Sequence, residues 1–154
     1  MSWDTVFGLT NLIALFSWSS LILLPRWPAL LAGILYLGIG LLCLTYAVLF
    51  IGLFGGLLDP VRDAGLAAPN LMDYSVDGIM DLFRSRGGVT IGWVHYLAFD
   101  LFVGLWIARD ADAKGFSRIV QAPILLATFL AGPLGLLVWL AVRERRARAS
   151  GRWQ

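Results

Sequence analysis

The stretch ALLAGILYLGIGLLCLTYAVLFIGLFGGLL, Ala29–Leu58, decides the fold class, because thirty residues pass without one charged side chain. About 20 apolar residues in a helix already cross a hydrocarbon core of about 30 Å, so this segment spans a bilayer with length to spare and is expected to tilt. Pro25-Arg26-Trp27-Pro28 precedes it and Asp59-Pro60 ends it. Proline biases the residue before it away from helix, and Arg and Trp are at home where hydrocarbon meets water. Further out lie three more apolar runs, about Thr5 to Leu24, Val89 to Ala108 and Ile119 to Val142. The last is interrupted by Gly132-Pro133-Leu134-Gly135. The expected fold is all-α: an integral membrane four-helix bundle forming one membrane domain over residues 1–154. Its spans fall at about 5–24, 29–58, 89–108 and 119–142, with a loop at 59–88.

Composition supports the same class. The 154 residues are 59% hydrophobic and 14% charged, with a mean hydropathy of +0.79, too little charge to coat a soluble domain of this length. A net charge of +2 gives no basis for nucleic-acid binding. Cys43, the single cysteine, lies inside an apolar run, where a core thiol is the plain reading. With one histidine and one cysteine, and no HExxH, CxxC, GxGxxG or GxSxG pattern, neither a protein-only metal site nor a nucleotide cofactor is expected. The N-terminus has no basic region and no small-x-small cleavage site after the first run, so that run is expected to be a permanent span rather than a removed signal.

Basic residues set the expected orientation. With four spans, Arg62, Arg84 and Arg86 of the second loop share a side with Arg143, Arg145, Arg146, Arg148 and Arg152 of the tail. Arg26, Arg109, Lys114 and Arg118 lie opposite, a division of eight to four. The positive-inside rule then places the second loop and both termini in the cytoplasm, with the chain in the cytoplasmic (inner) membrane. Within the second loop, Leu71, Met72, Ile79, Leu82 and Phe83 are interleaved with Asp73, Asp77 and Asp81. That spacing predicts a short amphipathic helix at the membrane surface over about Asn70 to Arg84, its aspartates on one stripe. A merely solvated acidic face is the plainer account of that stripe.

The strongest chemical signal is Gly92-Trp93-Val94-His95-Tyr96-Leu97-Ala98-Phe99-Asp100. An aspartate at the centre of a spanning helix costs roughly 2.5–3.5 kcal/mol on insertion scales, so it calls for a partner or a cavity. Helix packing through a hydrogen bond to a tyrosine or serine is the structural alternative to a functional role. His95 and Asp100 are five positions apart, about 500° along an ideal helix and hence about 140° apart in projection, so each needs partners from other helices. Asp100 shares a face with Trp93, Tyr96 and Gly104, and His95 shares one with Phe99 and Phe102. Such aromatic walls suit a long unsaturated or ring-bearing lipid. Asn11 and Tyr46 are placed at the depth of His95, and the Gly132-Pro133 break at a depth near Asp100, where a missing helix bond frees carbonyls. A packing kink accounts for Pro133 more simply.

The segments Asp77-Gly78-Ile79-Met80-Asp81-Leu82-Phe83 and Gly92 through Gly104, followed by Pro123, Thr128 and Gly132-Pro133-Leu134-Gly135, resemble the abscisic-acid-deficient-4-like family of small membrane proteins. The resemblance covers about Asn11 to Arg143, and the chain looks like a bacterial member. Plant members are required for making neoxanthin. The resemblance therefore implies a cofactor-free isomerase acting on a carotenoid or related isoprenoid, of the type that turns a 5,6-epoxide into an allenic alcohol. In that chemistry Asp100 is the expected acid and His95 the expected base. Asn11, Tyr46, Asp77, Trp93, Tyr96, Phe99, Thr128 and Pro133 are the expected substrate contacts. Two other readings stay open: a non-catalytic pigment- or lipid-binding subunit of a homo-oligomer or larger membrane complex, and a proton-linked transporter protonated at Asp100.

Overall fold

The computed structural model describes residues 2–62, 69, 70 and 72–150, with side chains described through residue 144. Leu71 of the expected amphipathic segment, Arg152 and the side chains of Arg145, Arg146 and Arg148 lie outside that description. The described chain is all-helical, apart from one isolated bridge between Arg62 and Ser85. Its helices are α1 (Trp3–Leu23), α2 (Pro28–Phe54), α3 (Val76–Phe83), α4 (Arg86–Ala113), α5 (Arg118–Leu130) and α6 (Gly132–Ser150).

Local chemistry sets these boundaries. Ser2, Ser75 and Ser85 cap α1, α3 and α4, their hydroxyls accepting from the amides of Thr5, Gly78 and Gly88. Pro28 opens α2, where a missing N–H costs nothing. Gly115, at φ 68°, turns the chain from α4 toward α5. The last carbonyls of α1 are met by cations from elsewhere. Arg26 Nε donates to Leu21 O at 3.1 Å, and Arg118 donates to Ile22 O at 3.0 Å and Leu24 O at 2.6 Å.

Among the described residues three helices, α1, α2 and α4, are long and apolar enough to cross a membrane. The second expected span ends at Phe54, not Leu58, and contains a π-helical stretch at Ile34–Gly40. There α2 approaches α1 closely, with Gly38 beside the Ser17 side chain. The run expected at 119–142 is two helices: Ala131 leaves helical geometry at φ −155°, ψ 71°, between α5 and α6. In the second loop the helix covers only Val76–Phe83, and Asp73 precedes it, its carboxylate accepting from the Ser75 amide at 2.9 Å. The Ser75 hydroxyl, and after it the Ser75 amide, holds the Asp73 carboxyl below the usual carboxylate range.

α4 is the central element and touches all five others. Leu97, Leu101, Leu105, Ile107 and Ala108 of α4 form a buried core with Trp18, Leu42, Leu125 and Trp139. The contact with α1 is closest where the Trp18 ring lies over Gly104, leaving no room for a β-carbon. The outward faces carry Phe16, Tyr36, Leu37 and Ile51, each about two-thirds exposed or more, as a surface solvated by lipid requires.

Two polar ends bracket the bundle. At the loop end, Arg86 pairs with Asp4 at 2.7 Å and Trp3 Nε1 donates to Asp59 O at 2.9 Å. At the opposite, turn end, Arg26 pairs with Asp112 at 3.0 Å and also donates to Gln121 Oε1 and Ala108 O. Burial pulls the Arg26 guanidinium below its usual value, with Asp112 acting the other way.

Candidate functional site

α4 presents two ionisable side chains to two different surroundings. The five-residue offset between His95 and Asp100 points them at different neighbours.

His95 faces α2 and the second loop. Its ring stacks on Phe99 with centroids 4.6 Å apart, and Tyr46 of α2 approaches it tilted at 5.6 Å. Phe50 continues the aromatic surface, 5.7 Å from Tyr46 and 4.4 Å from Phe54. The rings of His95, Tyr46, Phe50 and Phe54 wall a cavity of about 510 Å³, inside the usual size range of small-molecule sites. Ile91, Gly92, Phe83 and Leu82 close its other sides, so α3 forms part of the wall. A β-carbon at Gly92 would run into the Phe83 ring, so the glycine lets α3 settle against α4.

The cavity has one fixed cation. Arg62 lines it, and its guanidinium donates to Asp81 O, at the C-terminal part of α3, at 3.1 Å. Arg62 Nε is buried and has no hydrogen-bond partner among the described residues. An apolar chamber with an imidazole and an underused guanidinium suits an amphiphile: rings pack on the aromatic wall, and an oxygen function receives the guanidinium donor.

Asp100 faces away from this chamber. Its carboxyl meets the Tyr96 hydroxyl and the backbone amide of Gly132, at the first position of α6, while Oδ2 is buried and unpartnered among the described residues. Gly132 is required there, since a β-carbon would overlap the Asp100 carboxyl. Tyr96 stacks on Trp93 at 5.1 Å, Trp93 on Phe7 at 5.8 Å, and Trp93 Nε1 donates to Asn11 Oδ1 at 3.1 Å.

The structure thus sorts the expected site residues. It brings His95, Tyr46 and Phe99 together, and separately Asp100, Tyr96, Trp93 and Asn11. It does not bring His95 and Asp100 to one pocket. Asp77 is exposed on α3. Thr128 is buried between α5 and α6, its hydroxyl donating to Ile124 O at 2.9 Å. Pro133 is exposed at the start of α6. Among the described residues no group of three or more His, Cys, Asp or Glu side chains is placed to hold a metal ion.

Two polar groupings escaped the reading from sequence. Arg62 was counted only as a loop charge, although a basic residue two positions after Asp-Pro at the end of a span was a visible hint that it stays near the bundle. The other is centred on Asp110, which accepts from Arg143 Nε at 2.8 Å, Lys114 Nζ at 2.5 Å and Trp139 Nε1 at 3.1 Å. The Lys114 spacing of four along α4 was visible; Arg143 lies 33 positions away.

A family model described as ABA DEFICIENT 4-like matches residues 5–139, most of the chain. No curated protein and no solved structure matches it.

Proposed function

The chain belongs to the ABA DEFICIENT 4-like family, and from that membership we propose that it is a membrane-embedded protein acting on a carotenoid or related isoprenoid. The ring-bearing end of the lipid enters the aromatic cavity between α2, α3 and α4. The observation that carries this reading is the cavity itself, about 510 Å³ of largely apolar space whose wall includes His95 and Arg62.

The chemistry is isomerisation of an epoxide to an allenic alcohol without a redox partner. One C–O bond of the epoxide breaks, a proton leaves the neighbouring vinylic carbon, and the oxygen ends as a hydroxyl, so no atom is gained or lost. His95 takes the vinylic proton and, as imidazolium, gives it back to the opened oxygen, whose developing negative charge the Arg62 guanidinium faces. Water excluded by the rings strengthens both interactions. In this scheme Asp100 is a positioning residue that holds α6 against α4, not the acid.

The separation of His95 from Asp100 favours a second reading, in which the cavity holds the isoprenoid without converting it, as a subunit of a larger membrane complex. Lipid extracts of purified protein, and of cells with and without it, separate the two. The isomerase predicts a changed isoprenoid profile that reverts in His95→Ala and Arg62→Gln while the protein still inserts. A holding subunit predicts an isoprenoid bound at fixed ratio, with the profile unchanged. Extracts with neither a bound isoprenoid nor a changed profile would sink both.

A further inference from the structure

Arg143 and Lys114 share a single carboxylate, Asp110, although a four-span bundle would put them on opposite sides of the membrane. The contacts along α5 and α6 explain how. α5 starts at the turn end, where Arg118 holds the last carbonyls of α1 and Gln121 Nε2 donates to Asp112 at 2.9 Å. It runs inward until Phe129 meets Trp18 at 5.6 Å. The chain breaks at Ala131, and Gly132 meets Asp100, midway between Arg86 and Ala113 on α4. α6 then returns along α4. Gly135 lies so close to Thr128 that no β-carbon fits, Trp139 reaches Asp110 and packs edge-on against Phe116 at 5.1 Å, and Arg143 sits over the Trp106 ring at 5.6 Å.

We propose that α5 and α6 form a re-entrant helical hairpin, entering and leaving the membrane on the same side, with its tip tied at mid-depth by Asp100. Length agrees. α5 has 13 residues and the apolar part of α6, Gly132–Val142, has eleven, each nearer the 10–14 residues of a re-entrant segment than the ~20 of a span. The tip also meets the hydrogen-bonding demand of the membrane interior. The backbone leaves helical geometry at the exposed Ala131, whose N–H donates to Ala127 O at 2.9 Å and whose carbonyl accepts from the Leu134 and Gly135 amides, so its groups stay paired within the chain, and the adjoining Gly132 is buried. Pro133 has no N–H, Leu134 N donates to Ala131 O at 2.8 Å, and the remaining Gly132 amide faces the Asp100 carboxyl. An aspartate that is costly in hydrocarbon is thereby given a role at the positive end of a half-helix.

The hairpin regroups the charges. Arg26, Arg109, Lys114, Arg118 and the five arginines from Arg143 onward now share one side, against Arg62, Arg84 and Arg86 on the other, nine to three in place of eight to four. The positive-inside rule then sets the turn end in the cytoplasm, and the N-terminus and the 59–88 loop outside it. The cavity, walled by α3 and the loop-end half of α4, opens on the non-cytoplasmic face. That last consequence rests on the ligand reading above; the sidedness does not.

Cysteine labelling in intact cells tests it. In a Cys43→Ser background, Tyr74→Cys, Ser117→Cys and Ser150→Cys are each probed with a membrane-impermeant maleimide, before and after permeabilisation. Tyr74 and Ser117 are exposed, so these substitutions disturb little packing. The hairpin predicts labelling of Tyr74→Cys in intact cells, with Ser117→Cys and Ser150→Cys labelled only after permeabilisation. Ser150→Cys behaving like Tyr74→Cys and unlike Ser117→Cys would overturn the hairpin, and protection of Tyr74→Cys would overturn the orientation. Reporter fusions after Gln154 give a second measure of the same sidedness. Lipid extracts with neither a bound isoprenoid nor a changed profile would remove the ligand reading and leave these labelling results standing.

Discussion

His95 and Asp100 sit on the same helix within one and a half turns, yet the protein treats them in opposite ways. The Asp100 carboxyl packs against the start of α6 at Gly132 and beside Tyr96, with one oxygen buried and unpartnered among the described residues. The imidazole has rings around it and a cavity before it. A polar group that the fold itself engages is accounted for by packing, whereas one left facing an apolar chamber is available to a ligand. The same contrast holds at larger scale. The turn end of α4 is laced to α6 by the Asp110–Arg143 ion pair and to α5 by the Gln121–Asp112 hydrogen bond, and its loop end faces open space walled by the short helix α3.

The largest effect that would sharpen this contrast comes from Asp110. Its side chain is about nine-tenths buried, as is that of Lys114, and Arg143 is nearly so. Asp110→Ala removes the carboxylate on which Arg143 and Lys114 converge, and removing one partner of a buried pair in this way costs about 3–5 kcal/mol. The expected outcome is loss of detergent-solubilised folded protein in a thermal unfolding assay, with much less loss in Asp4→Asn, whose exposed pair with Arg86 is worth about 0–1 kcal/mol. Equal losses in the two variants would break the distinction between a laced end and an open one.

Next in size is Asp100. Asp100→Leu removes the acceptor from the Gly132 amide and leaves that group buried, a penalty of about 1–3 kcal/mol. Asp100→Asn keeps a carbonyl oxygen at the same place and is expected to retain most of the stability and all of the isoprenoid conversion. An Asn variant as stable as wild type but without conversion would return Asp100 to the role of acid that the sequence suggested.

Hydropathy revealed the spans because lipid solvation acts on each run by itself. Among the described residues three of the four runs lie in helices long and apolar enough to cross a membrane, and the faces assigned to α4 were sound: Phe99 does lie on His95, and Tyr96 on the Asp100 side. The fourth run shows where such reading stops. Its Gly-Pro break was visible, but whether a break bends a helix or turns it back depends on what lies alongside. The deciding contacts, Gly135 on Thr128 and Arg143 on Asp110, link positions that no local window compares. Likewise the place of Arg62 just after Asp59-Pro60 hinted that it stays near the bundle, but its approach to His95's chamber depends on how α3 folds back over α4.

The smallest effect belongs to His95, and it tests the contrast most directly. The imidazole is exposed toward the cavity and forms no hydrogen bond among those described, so truncation forfeits only its contacts with Phe99 and Tyr46. His95→Ala is therefore expected to lower stability by at most about 1 kcal/mol, less than Asp100→Leu five residues along the same helix. The matched pair removes differences in depth, helix and expression. If His95→Ala unfolds the protein as readily as Asp100→Leu, the imidazole is a packing element like the carboxylate. If it leaves the fold intact and abolishes isoprenoid conversion or retention, the open face of α4 is where the ligand acts.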